Sequence, residues 1–174
     1  MLKTEIEGRQ IASELVPSSQ IEGDDAEDTL LLKKMSEAAS LYLSSFNWCD
    51  SIIDSYFGGG IGGILAIFFL HIRPNREVVD PWIWVIVGDL PPAYIPIADC
   101  KSPKSAYRSY MRGMAKWVEF ARKGETAASR QGVPPVNLPA TPEWAERINQ
   151  KLYAVTLTVR YCFEDGGPAA DLLQ

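Results

Sequence analysis

Histidine and cysteine are scarce in this chain. His71 is the only histidine among 174 residues, and the three cysteines, Cys49, Cys100 and Cys162, stand far apart. An odd, scattered set implies no disulfide framework. It also offers no ligand pair at the spacing zinc sites use. We therefore expect reduced thiols and no metal. Long apolar runs are missing too. The stretch from Gly58 to Leu70 stops at His71 and Arg73, well short of the roughly 20 residues a membrane helix needs. Met1 to Glu5 lacks the apolar core of a secretion signal. These absences predict a cytoplasmic protein. No nucleophile elbow, triad or P-loop is present either, so we assign no catalytic residue and no cofactor.

What is there is a core. Apolar residues make up 47% of the chain and charged residues 22%, ordinary values for one globular domain. The net charge of −5 is unevenly spread. Residues 1–57 hold eleven acids and four bases, and residues 58–174 hold eleven acids and thirteen bases. An acidic first third argues against a dedicated nucleic-acid binder.

Residues 1–27 read as a flexible acidic segment, with Ile6 to Leu15 forming at most a short helix. From Asp28, a plausible N-cap, Leu31, Leu32, Met35, Ala39 and Leu43 recur at helical spacing. Ile52, Ile53 and Tyr56 predict a second helix over about Asn47 to Tyr56, ended by glycines. Ile64 to Ile72 and Trp82 to Val87 are apolar without alternation, which marks strands buried on both faces. Tyr94 to Ile97 predicts a third, short strand. Short links between them favour an antiparallel meander. Ser102-Pro103 and Thr141-Pro142 each start a helix, with the hydroxyl as cap and proline at the first helical position. These helices end near Lys123 and Phe163, and residues 166–174 read as a frayed tail. The expected fold is α+β, a single domain over 28–165 with about three strands and about four helices.

Gly58-x-Gly60-x-x-Gly63 matches a dinucleotide fingerprint in form, but no strand precedes it and no helix follows, so we read it as the approach to a buried strand. Asp89, after the second strand, suits a turn cap or a carboxylate at a strand end. Lys104, Arg108, Arg112 and Lys116 recur every four residues. They drift by about 40° per step and make one basic stripe opposite an apolar face. Such a stripe suits an acidic surface, either the chain's own N-terminal part or a partner protein. Trp82 and Trp84 share one face of a strand, which serves either as core or as a contact surface.

Trp48-Cys49, the run Trp84 to Tyr94 with its Gly-Asp-Leu-Pro, and the Pro103 helix with Trp117 together resemble a bacterial family known only as a domain of unknown function. The resemblance covers about Trp48 to Lys123 and implies a small bacterial cytoplasmic protein. Taken together, the residues predict a non-enzymatic protein-binding module, of the kind represented by immunity or inhibitor proteins, that meets a partner protein or itself. Its candidate binding residues are Trp82, Trp84, Asp89, Tyr94, Lys104, Arg108, Arg112 and Lys116. The alternative is a small enzyme or ligand binder with a pocket near the Gly88–Tyr94 turn, using Asp89, Tyr94 and His71.

Overall fold

The computed structural model describes residues 2–126 and 132–164. The predicted tail at 166–174 lies outside the described residues. Four helices and a five-stranded antiparallel sheet make an α+β fold. The helices are α1 (Leu2–Ser13), α2 (Ala26–Ser44), α3 (Pro103–Arg122) and α4 (Pro142–Val159). The strands are β1 (Val16–Pro17), β2 (Cys49–Ile61), β3 (Leu65–Pro74), β4 (Trp82–Gly88) and β5 (Ala93–Pro96), and they pair in sequence order.

The sheet therefore exceeds the expected three strands by two, the short β1 and the long β2. The segment read as a second helix is a 13-residue strand that includes Gly58, Gly59 and Gly60. Its register against β3 shifts three times, between Cys49 and Ser51, Ile52 and Asp54, and Phe57 and Gly59. Each bulge inserts a residue and breaks the period-two alternation that would announce a strand. Gly60 sits at φ 140°, and a Cβ there would lie 2.3 Å from the carbonyl oxygen of Leu65. Only glycine lets β2 and β3 run this close.

β3 and β4 are covered on both faces, as their unbroken apolar runs require. Leu65, Ile67, Phe69, Trp82, Trp84 and Ile86 face one core, closed by α3 and α4 with a contribution from α1. Ala66, Phe68, Leu70, Ile83, Val85 and Val87 face the other, closed by α2. The N-terminal segment feeds both. Ala12 of α1 joins the first core, while Ile21, only 2% exposed, joins the second.

The helix starts follow their local chemistry. Ser102 caps α3 in a reciprocal box with Ser105, and Thr141 caps α4 by accepting from the Trp144 N–H. For α2 the cap is Asp25 rather than Asp28. Asp28 instead accepts from the Gly62 N–H at 2.6 Å, tying the β2–β3 turn to the first turn of α2.

Candidate functional site

Trp82 and Trp84 are core residues, 1% and 0% exposed. Phe69 lies 5.1 Å and 4.3 Å from their respective rings. Burying an indole needs an acceptor for its N–H, and both find one. Trp84 donates to the Cys100 carbonyl at 2.9 Å, and Trp82 to the Glu5 carboxylate at 3.2 Å. They offer no surface to a partner while α1 is docked.

Asp89, Tyr94 and His71 do not converge. Asp89 pairs with Lys151 of α4 at 3.0 Å, with both side chains about half exposed. The Tyr94 ring packs on the α2 face against Phe46 and Trp48, at centroid distances of 5.1 and 5.2 Å. His71 sits opposite Trp82, at the other end of the β3–β4 pair from Gly88, a strand length of about 20 Å. A cavity of about 400 Å³ does lie at the Gly88 end, lined by Tyr42, Gly63, Gly88 and Pro92 among others. Burial, with Tyr94 alongside, pushes the Tyr42 phenol up to about 12.

At the opposite end, His71 stacks flat on Trp82, 4.1 Å between centroids and 2° between planes. Its Nε2 lies 3.4 Å from Glu5 and its Nδ1 3.8 Å from Asp54. Arg9 also reaches Glu5, at 3.1 Å. Each ring nitrogen thus faces a carboxylate, Glu5 from α1 and Asp54 from β2, so the cluster spans α1 and the sheet. A cleft of about 730 Å³ opens beside Glu5, between the start of α1 and the β3–β4 loop. Nothing in the local sequence around His71 announced this cluster, because Glu5 arrives from a distant helix. Among the described residues, no three His, Cys, Asp or Glu side chains come together to hold a metal ion, and no helix is long and apolar enough to cross a membrane.

Half of the predicted binding residues lie on the basic stripe of α3. α3 buries Ala106, Tyr107, Tyr110, Gly113, Met114, Trp117, Val118 and Ala121 on one face. That orientation leaves Arg108, Arg112 and Lys116 exposed on the other, with Lys104 half-buried in the first turn. Arg108 pairs with Glu164 at 3.2 Å, a carboxylate shared with Arg160. The acid that answers the stripe thus comes from beyond α4. The acidic N-terminal segment engages a different cation, Glu7 meeting Lys101 at 2.8 Å. That contact holds the Glu7 carboxyl below its usual range. Arg112 and Lys116 have no ion pair among the described residues.

A groove of about 470 Å³ runs beside the stripe, between β5 and α3. Tyr94 and Pro96 form one wall, Ser109 and Tyr110 the floor, and Pro134 and Pro135 the other wall. Two details fix its shape. Tyr110 donates to the Pro91 carbonyl at 2.5 Å, which pins the turn after β4 to α3; burial drives its phenol well above the ordinary range. Gly113 has no room for a side chain: a Cβ there would stand 2.8 Å from Pro134 and 2.9 Å from the Gly132 carbonyl, so the loop lies directly on the helix. Sequence reasoning found the stripe by its four-residue period but not the groove, whose second wall depends on where residues 132–135 settle. No protein-family model matches the chain, and no curated protein or solved structure matches it significantly.

Proposed function

We propose that this chain is a non-enzymatic, bacterial protein-binding module that engages a partner protein through the exposed side of α3, as an immunity or inhibitor protein does. The observation that carries this reading is the pairing of two exposed cations, Arg112 and Lys116, which have no ion pair among the described residues, with an adjoining groove lined by apolar and hydroxyl side chains and one carboxylate, Asp99. Exposed charge beside a concave patch steers a partner of opposite sign and fixes its register. The likeness to the Gly-Asp-Leu-Pro family belongs to the same proposal. The test is affinity capture from the native host with wild type and with the R112E/K116E variant, followed by rebinding of the purified partner. A stoichiometric partner that wild type retains and the variant loses supports the reading. A monomer that captures no stoichiometric partner overturns it.

A ligand-binding reading draws on one observation, the 400 Å³ cavity beside Gly63 and Gly88. Its test is Tyr42→Trp, which fills that space. Unchanged capture of the same protein partner by this variant separates the two readings.

A further inference from the structure

We infer that the groove between β5 and α3 takes an extended acidic segment of the partner protein, with its carboxylates on Arg112 and Lys116 and an apolar side chain in the groove. This assignment rests on the binding-module reading and names the chemistry of its partner.

Charge gives the first argument. Ser109, on the groove floor, lies three residues before Arg112 on α3, and residues three apart are neighbours on a helix surface. Lys116 Nζ lies 3.2 Å from where a Cβ on Gly132 would stand, so its charge sits over the loop that forms the far wall. Arg112 thus neighbours the groove's Ser109 on the helix surface, and Lys116 lies against the groove's Gly132. The stripe already binds carboxylate within this chain, since Glu164 holds Arg108. Arg112 and Lys116 repeat that chemistry one and two turns further on, with no acid supplied by the described residues. Asp99, by contrast, lines the groove itself. A carboxylate near it is repelled, which sets the direction in which an acidic segment lies.

The edge of the sheet gives the second argument. Ile97 donates to the Trp82 carbonyl, and Trp84 stands opposite Ile95. By alternation, the backbone groups of Tyr94 and Pro96 point away from β4. Pro96 has no N–H to give, so only Tyr94 offers both a donor and an acceptor to the groove. An edge guarded this way resists the addition of a full strand. The occupant is held by its side chains, with at most one backbone pair at Tyr94. Apolar and hydroxyl-bearing lining suits one apolar side chain, and the rim suits carboxylates on either side of it.

The probe is a fluorescein-labelled peptide of alternating Glu-Glu-Leu repeats, titrated at low salt while amide shifts of the ¹⁵N-labelled protein are followed. We expect saturable shifts at Tyr94, Ser109, Arg112 and Gly132. Binding should weaken at least tenfold in R112E/K116E, and by a similar factor at high salt. Ser109→Trp, which fills the groove and keeps both cations, should also abolish it; circular dichroism checks that each variant is folded. Absence of shifts at millimolar peptide overturns the inference. So does equal binding of a poly-Glu peptide, which would leave the groove unused, or tighter binding of a single-stranded oligonucleotide, which would make phosphate the ligand. A native partner that R112E/K116E loses but Ser109→Trp binds as tightly as wild type sinks this assignment and leaves the binding-module reading standing. A failure to find any partner sinks that reading itself.

Discussion

Gly8 carries the contact between α1 and the sheet, and replacing it by alanine measures how firmly that helix is seated. In an exposed helix this change stabilises by about 1 kcal/mol, because alanine loses less backbone freedom. Here the added Cβ would stand 2.3 Å from Cγ and Cδ1 of Trp82, where carbon atoms keep about 3.5–4.0 Å. The indole has nowhere to retreat, since His71 is stacked 4.1 Å away and Phe69 lies at 5.1 Å. So α1 must lift by roughly an ångström or more, straining the Trp82–Glu5 bond. Overpacking of this kind costs about 1–3 kcal/mol, and a weakened bond to a carboxylate about 1–2 kcal/mol. Set against the propensity gain, the net is a destabilisation of about 1–4 kcal/mol. For a chain of this size that lowers Tm by about 3–12 °C. Thermal unfolding followed by circular dichroism reads it directly, and tryptophan emission should shift red as Trp82 meets water. An unchanged or raised Tm in Gly8→Ala would refute the docking of α1 on Trp82.

Three further outcomes follow from the same geometry. Trp84→Phe leaves the Cys100 carbonyl without its donor and opens space in the core, so urea unfolding should show a loss of about 2–4 kcal/mol; a loss well under 1 kcal/mol would contradict the buried bond. Asp89→Asn removes an exposed pair and should change stability by less than about 1 kcal/mol; a larger loss would show that Asp89 does more than meet Lys151. The Tyr42 phenol is raised from 10.0 to about 12 by burial first and by Tyr94 second. The folded state then holds a proton that the unfolded state releases, so stability is intact below pH 10 and falls as pH climbs towards 12. Tyr42→Phe should flatten part of that alkaline decline, and an unaltered decline would contradict the burial.

The central strands and the later helices were legible because each depends on local chemistry. Ser102-Pro103 and Thr141-Pro142 carry their own caps, and the unbroken apolar runs of β3 and β4 require cover on both faces. β2 was not legible. Ile52, Ile53 and Tyr56 mimic helical spacing, and three bulges scramble the alternation of a strand. The prolonged β2–β3 hairpin shows itself only when Gly60, at φ 140°, is seen to bring the two backbones together. At the candidate site, the cations of α3 were visible in their period, whereas the groove needs a loop from beyond residue 131 to lie on Gly113. The tryptophans of β4 went the other way. Their shared face suited a contact surface equally well until Glu5 and Cys100 were found to satisfy both indole donors.

The most direct test of the account is a hydrogen-exchange difference map of the protein with its purified native partner. Protection is predicted along α3 from Arg108 to Lys116, at Tyr94, and at the loop from Gly132 to Pro135. Protection confined to α2 or to the outer face of α4, with α3 unchanged, would contradict the assignment of the α3 face as the binding surface.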